Sequence, residues 1–345
     1  MTDAKEASTT VLVTIPFESQ WQEQLQKLSP RLHIEQHTVH SAQEVPDSLW
    51  QDVEILYTTS KILPSIEQAP RLRFVQLYSA GADSVLNAPL FQSSAVSFST
   101  TSGVHAVNAA EYVFMMVLDW YHKFPTILEW KQSGKWPPSE ERHALFMPEA
   151  LAGRTIGIAG YGSIGRQVAK VARAFGMRVL AMQHGTDHHD RGFLFPNEGD
   201  PDGTLPERYY PSDQLHALLS ESDVVIVTLP LTPATRGMFN DAAFQAMKRT
   251  AFFVNIARGG VCDDDALVRA LQEKEIAGAA LDVFGKEPLP PDNPLWHLSN
   301  VFMTPHIMGT TPQYDARAAM IFIENVHRYV EGQSLYNVVD KKQGY

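Results

Sequence analysis

Three polar side chains stand directly after apolar runs of the sequence: Arg258, Glu287 and His306. The guanidinium of Arg258, which is followed by two glycines, could reach a carboxylate or carbonyl oxygen with the backbone close beneath it. An imidazole can protonate a forming alkoxide, and a neighbouring carboxylate orients the ring and favours its charged form. These are the groups that reduction of a ketone requires. Taken singly, each residue also has an ordinary structural explanation, such as a sheet-edge cap, a core histidine or a solvated turn.

A glycine-rich turn, Gly160-x-Gly162-x-x-Gly165, lies between an apolar run and a helical pattern over residues 163–175. Gly160 would make a tight turn, Gly162 would let the backbone approach a pyrophosphate, and Gly165 would let the helix pack on the strand. A second strand pattern follows. This order of strand, turn, helix and strand predicts a dinucleotide-binding site.

Short β-rich runs alternate with helical patterns along the chain, at spacings that suit βαβ units. They are residues 11–15, 34–39, 54–59, 74–78 and 96–100 before the glycine turn, and residues 155–159, 178–183, 223–230, 251–257, 276–284 and 301–304 after it. A chain of 345 residues is long for a single core. We predict two α/β domains with a cleft between them: residues 104–309 bind the dinucleotide, and residues 1–103 with 310–345 form a smaller, discontinuous domain.

Composition limits the partners. The net charge of −11 argues against nucleic acid or an anionic membrane as the main partner. A single cysteine, Cys262, excludes an intramolecular disulfide and suits a reducing compartment. No apolar run approaches the length of a membrane span. We therefore expect a soluble, cytoplasmic protein.

Five motifs follow one another in the chain. They are Gly160-x-Gly162-x-x-Gly165, Leu229-Pro230-Leu231-Thr232-Pro233-x-Thr235, Asn255-Ile256-Ala257-Arg258-Gly259-Gly260, Ala280-Leu281-Asp282-Val283-Phe284-x-x-Glu287-Pro288-Leu289 and Thr304-Pro305-His306. In this order they resemble the D-isomer-specific 2-hydroxyacid dehydrogenases, from about residue 74 to the C-terminal helix. The resemblance implies a doubly wound, parallel-sheet Rossmann cofactor domain and a smaller flavodoxin-like α/β substrate domain.

The resemblance also implies roles for single residues. Arg258 would bind the substrate, His306 would donate the proton in reduction, and Glu287 would pair with His306. A small 2-oxo acid, such as glyoxylate, hydroxypyruvate or a bulkier analogue, would be held by main-chain N–H groups of the loop at Ser79, Ala80 and Gly81. Asp282 would lie beside the nicotinamide, although a structural role remains open for it. The other cofactor contacts would be Tyr161, Ser163, Ile164, Leu229, Pro230, Thr235, Ile256 and Ala257. The resemblance further implies a homodimer.

Two features depart from the family pattern. Gln183 replaces the acidic residue expected after the second strand of the cofactor domain, where it would bind the adenosine ribose. Without that carboxylate a 2′-phosphate is not repelled, so the sequence favours NADP(H) weakly over NAD(H), with Arg191 and nearby histidines as the local cations. A long polar loop is predicted over residues 185–211. His184, His188 and His189 within it could hold a metal, but we predict no metal and a plain surface loop.

Other functions remain to be compared. The resemblance extends to transcriptional corepressors that sense the cofactor and bind partners, and the intact Arg258, Glu287 and His306 set is compatible with such a role. Formate dehydrogenases carry Gln in place of Glu287, and phosphoglycerate dehydrogenases with a regulatory tail are longer, so both are disfavoured. Tyr78 and Met308 are candidates to line a substrate pocket.

Overall fold

A computed structural model describes residues 8–345. The chain divides into two compact units. The first unit contains the described residues up to His105 together with Arg191–Phe195 and Thr311–Tyr345. The second unit contains Ala106–Asp190 and Pro196–Thr310.

The strands and helices alternate along most of the chain. The strands are β1 Thr9–Val13, β2 Leu32–Gln36, β3 Val53–Thr58, β4 Phe74–Leu77, β5 Ser97–Ser99, β6 Thr155–Ala159, β7 Arg178–Met182, β8 Arg208–Tyr210, β9 Val224–Val227, β10 Phe252–Asn255, β11 Gly278–Leu281 and β12 Val301–Met303. The helices are α1 Ser19–Leu28, α2 Asp47–Trp50, α3 Pro89–Gln92, α4 Ala106–Tyr121, α5 Phe124–Ser133, α6 Ser139–Phe146, α7 Ser163–Ala174, α8 Leu215–Glu221, α9 Asp241–Gln245, α10 Asp264–Gln272 and α11 Tyr314–Val330.

The first unit is built on a parallel sheet of five strands in the order β2-β1-β3-β4-β5. This is the strand order of flavodoxin-like folds. The C-terminal helix α11 packs on the sheet through buried Phe322, whose ring stacks on Tyr57 at a centroid distance of 4.3 Å. Through this packing, the end of the chain belongs to the same unit as its beginning.

The second unit is built on a parallel sheet of seven strands in the order β12-β11-β10-β9-β6-β7-β8. Counted from β6, six of these strands have the doubly wound order of dinucleotide-binding sheets. The central strands β9 and β10 are fully buried, as parallel strands covered by helices on both faces must be. The predicted fold class, two parallel α/β sheets of which one is Rossmann-like, is confirmed.

The segment predicted as a long loop, residues 185–211, is a loop only in part. Arg208–Tyr210 forms the edge strand β8, paired with β7, so the prediction of a loop throughout is wrong. A strand of three residues is too short to show an alternating pattern in the sequence.

Residues 188, 190 and 200 of this segment, which belong to the second unit, are held by a buried side chain of α7. Arg166 is 2% exposed and donates hydrogen bonds to the carbonyl oxygens of Asp200, at 2.6 Å, and His188, at 2.8 Å. Its Nε lies 3.4 Å from Oδ2 of Asp190. Tyr161 of the glycine turn donates to Oδ2 of Asp200 at 2.7 Å. The segment and the glycine turn therefore share one hydrogen-bonded network.

Two further features of the described residues bear on the expected partners. Within residues 8–345 no helix combines the length and the apolar character needed to cross a membrane. Across the same part of the chain, no three His, Cys, Asp or Glu side chains gather as metal ligands would.

Candidate active site

Three neighbouring strands of the second unit end in the polar residues that the sequence singles out. Arg258 follows β10, Glu287 follows β11 and His306 follows β12. These strands are adjacent and parallel, so their carboxyl ends lie at one edge of the sheet. Ligands of doubly wound folds bind at this edge.

His306 and Glu287 form a hydrogen-bonded pair. Nδ1 of His306 lies 2.7 Å from Oε2 of Glu287. The other carboxylate oxygen accepts the backbone N–H of Phe284 at 3.0 Å, which fixes the orientation of the carboxylate. Because Nδ1 is used by this bond, Nε2 is the ring nitrogen left for another partner. The His306 side chain is 48% exposed.

The electrostatic environment favours the ionised form of Glu287. Burial alone would raise the pKa of Glu287, but hydrogen bonds from His306 and from the N–H of Phe284 lower it, as do the charges of His306 and Arg258. The net result is a pKa below the ordinary value for a glutamate.

Arg258 is brought close to this pair by Gly259. A Cβ atom on Gly259 would lie 1.9 Å from the backbone carbon of Phe284, so only glycine permits the loop after β10 to approach the loop after β11 so closely. Arg258 is half-buried, and its Nη1 donates to the carbonyl oxygen of Ala257 at 2.8 Å. Its charge acts on Glu287. The structure thus brings the three predicted side chains into one electrostatic cluster.

Asp282 lies beneath the loop that carries His306. It is fully buried, and Oδ1 accepts Thr304 Oγ1 at 2.6 Å and the N–H of Ile307 at 2.9 Å. Oδ2 accepts the N–H of Met308 at 3.0 Å. Both carboxylate oxygens are used by the protein itself, which corresponds to the structural role left open for this residue.

The glycine turn has the geometry that a dinucleotide phosphate requires. Gly160 has φ +100°, and a Cβ there would lie 2.9 Å from the backbone of Thr228. A Cβ on Gly165 would lie 2.4 Å from the carbonyl oxygen of Gly160, which shows how tightly α7 packs on β6. A Cβ on Gly162, in contrast, would meet nothing within 4 Å. The backbone at Gly162 and the first turn of α7 therefore leave space and N–H donors for an anion, and these residues fit a bound pyrophosphate.

Gln183, at the end of β7, is engaged by the segment that follows it. Its Nε2 donates to the carbonyl oxygen of Asp187 at 2.9 Å, and its Oε1 lies 3.3 Å from Nδ1 of His188. The His188 ring stacks on Tyr209 with a centroid distance of 3.6 Å. Arg191, the cation predicted to be local to Gln183, groups with the first unit, whereas Gln183 belongs to the second.

The other predicted cofactor residues lie on two loops of the same sheet. The loop after β9 is closed by Thr235, whose Oγ1 donates to the carbonyl oxygen of Pro230 at 2.6 Å, and Leu229 immediately precedes that proline. Ile256 and Ala257 are buried directly after β10. Ser163 and Ile164 form the first turn of α7.

The predicted carboxylate-binding loop is in the first unit. Ser79, Ala80 and Gly81 follow β4, and Ser79 Oγ donates to the carbonyl oxygen of Gly81 at 2.8 Å. Tyr78 is fixed within the same unit by a short hydrogen bond to Asp315 of α11. Met308, the other candidate pocket residue, is buried in the second unit.

Sequence reasoning missed two polar side chains on α4. Tyr112 hydroxyl lies 2.5 Å from Oγ1 of Thr304, and Asn108 Nδ2 donates to the carbonyl oxygen of Met308. Each contact joins two residues that lie about 200 positions apart in the chain. The only sequence signal was the i,i+4 spacing of Asn108 and Tyr112 on α4, which does not indicate a partner.

Comparisons with known proteins agree with this geometry. The family model described as "D-isomer specific 2-hydroxyacid dehydrogenase, NAD binding domain" matches residues 114–308. A protein of Korarchaeum cryptofilum named glyoxylate reductase is 35% identical over 277 residues, which are 80% of this chain and 78% of that protein.

Two solved structures show the same likeness. A D-isomer specific 2-hydroxyacid dehydrogenase of Xanthobacter autotrophicus Py2, in complex with NADPH and MES, is 26% identical with a TM-score of 0.79 over 98% of this chain and 100% of that one. An NADPH-dependent glyoxylate/hydroxypyruvate reductase of Sinorhizobium meliloti, in complex with NADP and sulfate, is 25% identical with a TM-score of 0.72 over 98% and 100%.

Proposed function

Because the chain belongs to the D-isomer-specific 2-hydroxyacid dehydrogenase family, we propose that it reduces a small 2-oxo acid to the D-2-hydroxy acid with NADPH or NADH. The observation that carries this proposal is the pairing of His306 with Glu287, close to Arg258, at the carboxyl ends of three adjacent parallel strands. In this proposal His306 is the proton donor, Glu287 is the group that keeps it charged, and Arg258 is the cation for the substrate.

The side chains have complementary tasks in this reaction. A nicotinamide cofactor, when bound at the glycine turn, would supply the hydride for the carbonyl carbon. The guanidinium of Arg258 binds the substrate carboxylate and polarises the carbonyl oxygen. As the oxygen gains negative charge, His306 gives it the proton on Nε2, and Glu287 holds Nδ1 throughout. In the reverse direction the neutral imidazole accepts the proton.

The named relatives support a substrate class, and Gln183 supports a choice of cofactor. Relatives named glyoxylate reductase favour glyoxylate, and the neighbour from Sinorhizobium meliloti favours hydroxypyruvate as a second substrate. We propose that the loop at Ser79, Ala80 and Gly81 binds the substrate carboxylate through its N–H groups. We propose NADP(H) as the preferred cofactor, because Gln183 carries no charge to repel a 2′-phosphate.

This proposal can be tested with a panel of 2-oxo acids, each incubated with NADPH and with NADH. Turnover is measured as the change in cofactor absorbance. We expect turnover of glyoxylate and hydroxypyruvate with both cofactors and a higher kcat/KM with NADPH. Tight cofactor binding without turnover of any 2-oxo acid would instead support a cofactor-sensing binding protein.

A single-cysteine protein of this kind is expected in a reducing compartment such as the cytoplasm.

We further propose that the protein is a homodimer joined through α5 and α6. Neither helix has a buried residue, yet the surrounding segment exposes large apolar side chains, including Trp136 at 76% and Met147 at 58%. Exposed apolar groups concentrated in one segment are typical of an interaction surface. Light scattering should give twice the monomer mass for the wild type and the monomer mass for Leu128→Asp. Ile66→Lys, which changes an exposed apolar residue of the first unit, should remain dimeric.

A further inference from the structure

We propose that Tyr112 and Asn108 of α4 are positioning residues that hold residues 304–308, and with them the His306 imidazole, against Glu287. This inference rests on the proposed role of His306 in the reaction. Neither residue contacts the imidazole, so each would act only through the backbone that carries it.

The loop after β12 needs such support because its backbone conformation is costly. His306 has φ +53°, in the left-handed region that side chains other than glycine seldom adopt. A residue held in this region persists only where the surrounding structure determines it. Part of that support is local, since the N–H of His306 donates to the carbonyl oxygen of Thr304 at 3.0 Å.

Asp282 supplies the second part of the support. Its carboxylate accepts hydrogen bonds from Thr304 Oγ1 and from the N–H groups of Ile307 and Met308, on either side of His306. The carboxylate is fully buried. A buried acceptor that loses one of these donors is not compensated by water, so the loop is tied firmly to it.

Tyr112 completes this network from α4. The single hydroxyl proton of Thr304 is donated to Asp282, so the oxygen of Thr304 accepts the proton of Tyr112 across a distance of 2.5 Å. Burial is the largest cause that raises the pKa of Tyr112, to about 12, so the hydroxyl remains a donor at the pH of any ordinary assay. Tyr112 thereby fixes the rotamer of Thr304 that serves Asp282.

Asn108 holds the other end of the same loop. It lies one helical turn before Tyr112, so both side chains are on the same face of α4. Its Nδ2 donates to the carbonyl oxygen of Met308, while Tyr112 bonds to Thr304. One helix face therefore contacts the first and the last residue of the loop whose centre is His306.

The charged and titratable groups around the loop are few enough to interpret a pH profile. Glu287 contacts the imidazole directly, and Arg258 acts on Glu287 by charge. Asp282 and Tyr112 bond to Thr304. If the loop shifts, the His306 pairing with Glu287 weakens, and the imidazole then loses its proton at lower pH.

The test compares Tyr112→Phe with the wild type by two measurements. The first is the rate at which diethyl pyrocarbonate modifies His306, followed by mass spectrometry across a pH series, because this reagent reacts with the neutral imidazole. The second is the pH profile of kcat/KM for 2-oxo acid reduction. We expect the modification of His306 to rise at lower pH, kcat to fall roughly tenfold and the KM for the cofactor to stay within about twofold.

Tyr121→Phe is the matched control. Tyr121 is on the same helix and is 3% exposed, against 8% for Tyr112, and its hydroxyl donates to the carbonyl oxygen of Asp223 at 3.3 Å. It should lose thermal stability to a similar extent without moving either pH profile. If Tyr112→Phe behaves like Tyr121→Phe in both measurements, the proposal is overturned.

Three additional variants keep the test decisive. Asn108→Ala removes the contact at Met308, and it should shift the His306 modification profile in the same direction even if Tyr112→Phe folds poorly. Thr304→Ser retains the hydroxyl and should resemble the wild type, whereas Thr304→Val should reproduce Tyr112→Phe. Because chemical modification needs no substrate, a shifted profile in an enzyme without turnover would refute the proposed reaction and support the positioning role.

Discussion

The contact between Glu287 and His306 leads to a prediction about pH. Oε2 and Nδ1 are 2.7 Å apart, and the side chains are 35% and 48% exposed. Two unit charges about 4 Å apart attract by roughly 4 kcal/mol at an effective dielectric of 20 and by about 1 kcal/mol in water. Because both side chains are more than a third exposed, solvent screening reduces the attraction toward the lower value. We take about 1.4 kcal/mol, which corresponds to roughly one pH unit.

The perturbation is Glu287→Gln, which removes the charge and keeps the shape. If His306 is the proton donor, as proposed, reduction requires its protonated form, so activity is present at low pH and is lost as the pH rises. Without the carboxylate the protonated imidazole is less stable, and the decline in kcat/KM for reduction should begin about one pH unit lower than in the wild type. The assay is cofactor absorbance at saturating cofactor over roughly pH 5 to 9, the range in which histidines titrate.

A surface carboxylate serves as the control for this variant. Glu207 lies 3.0 Å from Nε of Arg178, in the second unit, and Glu207→Gln should leave the profile unchanged. If Glu287→Gln has the same profile as the wild type, the carboxylate does not set the protonation of His306. The assignment of roles to this pair would then be wrong.

Three more substitutions test separate parts of the structure. Arg258→Lys keeps the charge but loses the planar fork, so kcat/KM should fall by roughly two orders of magnitude. Cofactor binding, measured by fluorescence, should be retained. Near wild-type turnover would remove Arg258 from the site. Gln183→Asp should move the ratio of kcat/KM values for NADPH and NADH toward NADH by roughly tenfold, and an unchanged ratio would show that the ribose lies elsewhere. Asp223 accepts hydrogen bonds from Lys248 and from the N–H of Thr155, both at 2.8 Å. Burial raises the pKa of Asp223, but these contacts bring it below the ordinary value for an aspartate. Asp223→Asn should therefore destabilise the fold by about 1 to 2 kcal/mol at neutral pH, and the difference should vanish as the pH falls through the native pKa; equal urea midpoints at pH 7 would contradict this.

The sequence was sufficient for the parts of the fold that depend on local pattern. The glycine turn and the buried strands of the second sheet have characteristic spacing, and the ends of β10, β11 and β12 mark Arg258, Glu287 and His306 directly. The family resemblance is confirmed by the matching family model. These features are readable because a parallel sheet places its functional residues at the ends of apolar runs.

The features that sequence reasoning missed depend on distant pairs. Arg166 reads as an exposed residue of an amphipathic helix, yet it is buried because carbonyl oxygens more than 20 residues away accept its hydrogen bonds. Tyr112 reads as one more apolar residue of α4, although its hydroxyl serves the loop that carries His306. No periodicity reveals such partners, because hydrogen bonding between remote segments exists only in the folded chain.

The central claim is that this site reduces 2-oxo acids with His306 as the proton donor. It is tested most directly by incubating hydroxypyruvate and NADPH with the wild type and with His306→Asn, and by determining product chirality on a chiral column. The wild type should form the D-2-hydroxy acid, and His306→Asn should bind NADPH normally while turnover falls by about 100-fold or more. An L product, or a His306→Asn variant that reduces the substrate at nearly the wild-type rate, would contradict the account.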